Sequence, residues 1–285
     1  MPFSETAALG AIAGLTIFLG LPLGRMRTID ERTRVALAMF AVGILAFIFV
    51  DVLSQGKDIV DAALAHYKHH TGSLARVVWL TLLMAAGFLV GSSGLAVIER
   101  RLRPAPPPGP PIAGGATAVA AAEAEALLGE AELARRRALQ RGLTIACAIG
   151  LHNFAEGLAI GVSARAGAVS LATVLIIGFA LHNATEGFGI VGPLGGVMPS
   201  WRWLFGVGLL AGGPTFLGSM VGYAVTSQPL ELAFYALAGG AIFYVIGEVW
   251  QGMRRYGHRE LGLYLVGLGF MVGVVTDLIV TYGGS

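Results

Sequence analysis

The sequence predicts an all-α, polytopic membrane protein: a bundle of eight transmembrane helices forming one transmembrane domain over residues 1–285. Three observations carry this reading. Hydrophobic residues make up 55% of the chain and charged residues 13%, with a mean hydropathy of +0.75, whereas a soluble domain carries roughly 25% charged residues. Apolar stretches long enough to bridge a hydrocarbon core of ~30 Å recur along the chain. The 42 glycines follow no collagen period, and in membrane helices glycine lets backbones approach closely. A soluble globule is excluded.

The first span is expected at 5–24, because the opening segment is apolar but lacks the basic n-region of a cleaved secretory signal. The second and third follow at 33–55 and 73–95. A long connection is expected over 96–140. It begins "ERRLRPAPPPGPPIAGG", where prolines and glycines preclude a regular helix. It continues "TAVAAAEAEALLGEAELARRRALQR", whose Ala, Leu, Glu and Arg favour a partly surface-bound helix leading into the fourth span. The remaining spans are expected at 141–163, 168–190, 201–224, 229–252 and 259–281, with Gly192–Pro193 ending the fifth.

A net charge of +2 and a pI near 8.9 give no basis for a nucleic-acid partner. Placement of the charges is more informative than their total. Arg25, Arg27, Arg32 and Arg34 follow span one. Arg100, Arg101, Arg103, Arg135, Arg136, Arg137 and Arg141 bracket the long connection. Arg202 follows span five, and Arg254, Arg255 and Arg259 join the last two spans. The alternate connections hold only Lys57, Lys68, Arg76 and Arg165. The positive-inside preference therefore predicts a cytoplasmic 96–140 connection and both termini outside, in a multi-pass cell-membrane protein. Cys147 is the only cysteine, so no internal disulfide can form, and its apolar surroundings suit packing.

Acidic residues are costly in hydrocarbon and usually face a partner, a bundle interior or an ion pathway. Asp51, Glu156, Glu186 and Glu248 fall within the expected spans, and Asp277 lies near the end of the eighth. Two of them share a motif. "LHNFAEGLAI" at 151–160 and "LHNATEGFGI" at 181–190 match at Leu, His, Asn, Glu, Gly and Ile, at comparable depth on consecutive antiparallel spans. On a helix His152 and Glu156 stack on one face with Asn153 a step around, and His182, Asn183 and Glu186 repeat the arrangement. Imidazole nitrogen, carboxylate oxygen and amide oxygen suit a borderline divalent ion such as Zn²⁺, so the residue types point to Zn²⁺, Cd²⁺, Fe²⁺ or Mn²⁺. The alternative is a pair of core histidines and helix-bridging glutamates; the repetition argues against it. Gly157 and Gly187 permit tight packing beside the cleft.

These features together resemble the ZIP family of divalent metal transporters, and its bacterial members in particular: eight spans, a long cytoplasmic connection after the third, outward termini, and His-Asn-x-x-Glu-Gly echoed in spans four and five. The resemblance implies uptake of metal toward the cytoplasm across a bacterial inner membrane, with His152, Asn153, Glu156, His182, Asn183 and Glu186 as the transport site. It implies no catalysis and no cofactor beyond the transported ion. Glu248 and Asp51 resemble polar positions along the family's pathway. Relatives place Pro before the motif glutamates where this chain has Ala155 and Thr185, and some take a glutamate from span six where it has Thr215. The resemblance therefore implies a mononuclear site on His152, Glu156, His182 and Glu186, with the two asparagines as weaker ligands.

Outside the membrane, Asp58, Asp61, His66, His69 and His70 are expected to form a cation-collecting mouth or simply a solvated helix end. Glycine-rich faces are compatible with a homodimer. Rival readings are an intramembrane zinc-dependent hydrolase, with zinc on His152 and His182 and water activated by Glu156, and a non-transporting metal-binding membrane protein. The first lacks the H-E-x-x-H pattern; the second would use the connection helix as its partner surface.

Overall fold

Helices, most of them longer than a hydrocarbon core requires, dominate the computed structural model, which describes residues 1–26, 30–102, 116–165, 183–194, 197–224, 227–254 and 257–284. We number them in chain order. Helix α1 is Phe3–Leu15, prolonged past Thr16 by the short Ile17–Gly20 and a 3-10 turn, Leu21–Arg25. Then come α2 (Glu31–Lys68), α3 (Leu74–Leu102), α4 (Ala116–Arg165), α5 (183–191), α6 (Trp201–Ala224), α7 (Gln228–Arg254) and α8 (Arg259–Gly284).

Among the described residues seven helices are long and apolar enough to cross a membrane. Most of the expected fifth span, through residue 182, lies outside them; its described part, α5, is helical and gives way to a 3-10 turn at Gly192–Leu194. The molecule is thus an all-α, multi-spanning membrane bundle.

Two boundaries differ from the hydropathy reading. Helix α2 continues 13 residues past 55, because nothing between Gly56 and Lys68 breaks a helix and Lys57 pairs with Asp61 one turn on. It starts where Asp30 accepts a hydrogen bond from Thr33 N at 3.0 Å, an N-cap that holds the Asp30 carboxyl below the usual carboxylate range. It ends in a turn with His70 at φ 59°. The interval 96–140 contains the end of α3 and the first half of α4; residues 103–115 lie outside the described set. Along α4, Glu132 accepts from Arg136 Nε at 3.0 Å, an i,i+4 pair that supports helix in a segment too polar for a membrane.

Helix α4 occupies the centre. It packs on α6 and α7, α1 packs on α6, α2 on α7 and α8, and α3 on α7. Of the most apolar stretch of α4, 72% is buried, against 17% in α3 and in α8, so α3 and α8 present the broadest lipid-facing surfaces. The central apolar cluster joins Ile17 and Leu21 of α1, Leu45 and Ile48 of α2, Ile145 and Ile149 of α4, Ile190 of α5, Leu204 of α6 and Ile242 of α7.

Backbone crossings bring α4 and α6 together. A Cβ on Gly218 would lie 2.1 Å from Phe154 O, and one on Gly157 would lie 2.2 Å from Thr215 O. Only glycine admits this approach.

The chain ends of the helices are tied as well. Met1 N donates to Ala164 O at 3.2 Å, and Arg165 donates to Tyr223 O at 2.7 Å and Ala224 O at 3.1 Å. At the opposite end of α1 and α6, Arg25 donates to Pro199 O and lies 5.0 Å over the Trp201 ring.

Candidate metal centre

The motif of α4 lies in its most buried part, and the fold brings α5 alongside. His152 is 2% exposed, Glu156 6% and Glu186 2%; Asn153 and Asn183 are fully buried. His152 Nε2 lies 3.0 Å from Glu156 Oε1, four residues on along α4, and 3.8 Å from Glu186 Oε1 on α5. One imidazole therefore lies within 4 Å of a carboxylate from each copy of the repeat. His182 lies outside the described residues.

The two asparagines are held in matching ways. Asn153 Nδ2 donates to Ala211 O on α6 at 3.0 Å, and Asn183 Nδ2 donates to Ala13 O on α1 at 3.0 Å. A carbonyl only accepts, so each amide must turn its nitrogen to the backbone and keep Oδ1 on the other side. Among the described residues neither Oδ1 has a hydrogen-bond partner. A buried amide oxygen without a donor is costly, and a cation is one way to satisfy it.

Both anchoring carbonyls lie within one turn of a gap in regular helix hydrogen bonding. Ala13 lies just before the interruption of α1 at Thr16, whose hydroxyl also donates to Ala13 O at 2.6 Å. Ala211 lies three residues before Pro214, which sits inside α6 and cannot donate to the carbonyl of Leu210. The sequence reading singled out the asparagines but not Ala13 or Ala211, since a main-chain acceptor has no residue signature. The nearby Thr16 and Pro214 were the available signal.

Thr215, at the sixth-span position compared above with a glutamate, is fully buried, and its Oγ1 has no hydrogen-bond partner among the described residues. It lies beside both neighbouring helices: its carbonyl faces Gly157, and its Cβ would be 3.2 Å from a Cβ on Gly14. Asp51 of α2 is half-buried and accepts from Gln55 Nε2 at 2.8 Å. Glu248 of α7 is half-buried, and Asp277 of α8 is exposed. Asp58, Asp61, His66, His69 and His70 are all exposed. Among the described residues no three His, Cys, Asp or Glu side chains are placed so as to hold a metal ion together.

A family model, ZIP zinc transporter, matches residues 122–246, the stretch that carries both motifs, α6 and most of α7. That stretch is similar to the ZIP family. Similar proteins include the zinc transporter ZupT of Corynebacterium glutamicum, 26% identical over 280 residues, 93% of this chain and 97% of that one. The zinc transporter ZupT of Streptococcus mutans is 24% identical over 278 residues, 95% of this chain and 96% of that one. That of Clostridium perfringens is 28% identical over 156 residues, and this match spans about half of each protein, 53% and 54%. All three of these relatives are named as zinc transporters.

Proposed function

We propose that this protein is a ZIP transporter that carries Zn²⁺ toward the cytoplasm through a site between α4 and the fifth span, built from His152, Asn153, Glu156, His182, Asn183 and Glu186. The observation that carries the reading is the contact of His152 Nε2 with Glu156 at 3.0 Å and Glu186 at 3.8 Å, deep among buried residues. Two carboxylates at this depth need a cation or a proton, and imidazole, carboxylate and amide oxygen form a borderline donor set suited to Zn²⁺. Cd²⁺, Fe²⁺ and Mn²⁺ are the competing cargoes.

In this scheme a hydrated ion exchanges water for His152 and the two carboxylates, and the Asn153 and Asn183 oxygens complete its shell without adding charge. Reversibility comes from the proton: a protonated imidazole or carboxyl loses its capacity to bind the ion. The helices cross the membrane eight times in this reading, with both termini outside and the long connection in the cytoplasm. The chain is one domain, in a bacterial inner membrane, and its glycine-rich faces would serve a homodimer.

The test is metal flux into proteoliposomes for the unaltered protein and for Glu156→Ala and Glu186→Ala, with folding checked by circular dichroism. Flux lost in both variants supports the site; unchanged flux in both, with the fold intact, removes it. Competition among the four ions in the same vesicles ranks the cargoes.

A further inference from the structure

The two asparagines of the repeat rest on main-chain oxygens, and among the described residues only one of those oxygens is shared with a second side chain. Ala13 O accepts from Asn183 Nδ2 at 3.0 Å and from the Thr16 hydroxyl at 2.6 Å. Ala211 O accepts from Asn153 Nδ2 at 3.0 Å, while Thr215, four residues on, has no hydrogen-bond partner for its hydroxyl among the described residues. Thr16 also differs from other threonines of the bundle. Thr6, Thr81, Thr144 and Thr276 each donate to the carbonyl four residues back, whereas Thr16 donates three back.

That difference bears on where Ala13 O points. In a regular helix a carbonyl lies along the axis and is taken by the N–H four residues on. A carbonyl oxygen has two lone pairs, and here the Thr16 hydroxyl and the Asn183 amide take them. The main chain tightens to match: Thr16 N bonds back to Ala13 O at 3.4 Å, three residues instead of four, and the helix restarts at Ile17. A side chain inserted into the ladder in this way bends the helix and turns a carbonyl off the axis. The turned carbonyl is the one that Asn183 reaches from α5.

The backbone of α5 is held by other contacts. A Cβ on Gly187 would lie 2.5 Å from Ile17 O, and one on Gly20 would lie 2.4 Å from Ala184 O, so the two backbones are pressed together whatever the Thr16 side chain does. What the hydroxyl controls is the direction of one carbonyl and, through it, of one amide. With Nδ2 on Ala13 O, the fully buried Asn183 keeps its Oδ1, unpartnered among the described residues, on the other side. We propose that Thr16 is a positioning residue of the metal site, its hydroxyl holding Ala13 O so that Asn183 presents Oδ1 to the ion. This role rests on the site proposed above, and Thr16 itself does not bind the ion.

Calorimetric titration of Zn²⁺ into the purified full-length protein tests this, with thermal unfolding followed on the same samples. Thr16→Val keeps the shape and removes the hydroxyl, whereas Thr16→Ser keeps the hydroxyl. The expected result is about fivefold weaker Zn²⁺ binding by Thr16→Val, the scale of one neutral hydrogen bond, and affinity within about twofold of the unaltered protein for Thr16→Ser. On an Asn183→Ala background, Thr16→Val should weaken binding no further, because the two act as one unit. Unchanged affinity in a folded Thr16→Val variant, whatever its unfolding temperature, would overturn the proposal, as would an additive loss on the Asn183→Ala background. Should Thr16→Val fail to fold, Thr16→Ala, which favours helix, takes its place with the same expected outcomes. Glu186→Ala separates this role from the site itself. If Glu186→Ala weakens binding and Thr16→Val does not, the site stands and the role of Thr16 falls. If Glu186→Ala and Asn183→Ala both bind Zn²⁺ as the unaltered protein does, the site is wrong and the role falls with it.

Discussion

Asn183 reaches from α5 to α1 and donates its side-chain amide to the main-chain oxygen of Ala13 at 3.0 Å. The same oxygen receives the Thr16 hydroxyl at 2.6 Å, so the interrupted turn of α1 serves as a bracket for one asparagine of the repeat. Asn183→Ala should cost about 1 kcal/mol, at the low end for a buried hydrogen bond because Thr16 still satisfies Ala13 O. Asn183→Asp keeps a ligand oxygen but sets a carboxylate oxygen against a carbonyl, so it should cost more. Thermal unfolding in detergent orders the two.

The proposed site makes a charge-specific prediction for Glu186. Glu186→Gln preserves volume and an amide oxygen but removes a negative charge 3.8 Å from His152 Nε2. Zn²⁺ affinity should fall at least tenfold, roughly the loss of one charge-assisted interaction, while the unfolding temperature changes little. Calorimetric titration of Zn²⁺ into the purified variant checks it.

The α4–α6 crossing predicts a steep contrast between glycines. A Cβ at Gly218 would lie 2.1 Å from Phe154 O, whereas nothing lies within 4 Å of one at Gly206. Gly218→Ala should destabilise by about 1–3 kcal/mol, as overpacking does. Gly206→Ala, on the same helix, should be neutral or stabilise by up to about 1 kcal/mol through helix propensity. Denaturation of both variants side by side measures the difference.

Topology is accessible to a membrane-impermeant thiol reagent on a Cys147→Ala background. Lys68→Cys, at the end of α2, should be labelled in intact cells stripped of the outer membrane. Arg101→Cys, near the end of α3, should be labelled only in inverted vesicles. The reverse pattern would invert the proposed orientation of the site.

Hydropathy located each described spanning helix, and the repeated His-Asn-x-x-Glu pointed to the buried cluster, because polar residues in apolar runs stand out against their background. The spacing of four also anticipated the His152–Glu156 contact, at 3.0 Å. What composition could not resolve was where helices stop without a change in polarity to mark it. Helix α2 runs to Lys68 through residues that suit helix and water equally, and α1 breaks at Thr16 inside an apolar run. The anchors of the asparagines were hidden for a different reason: Ala13 and Ala211 act through main-chain oxygens that any residue would supply.

Because Asn153 and Asn183 spend their nitrogens on the backbone, what they offer the proposed site is electrically neutral. With neutral imidazoles and two ionised carboxylates, a bound divalent ion brings the assembly to zero net charge. A site in that state can change its exposure across the bilayer with almost no work against the transmembrane voltage, which otherwise amounts to about 2.3 kcal/mol per elementary charge at 100 mV. The same site emptied of metal carries two negative charges, so its return is sensitive to voltage unless two protons accompany it.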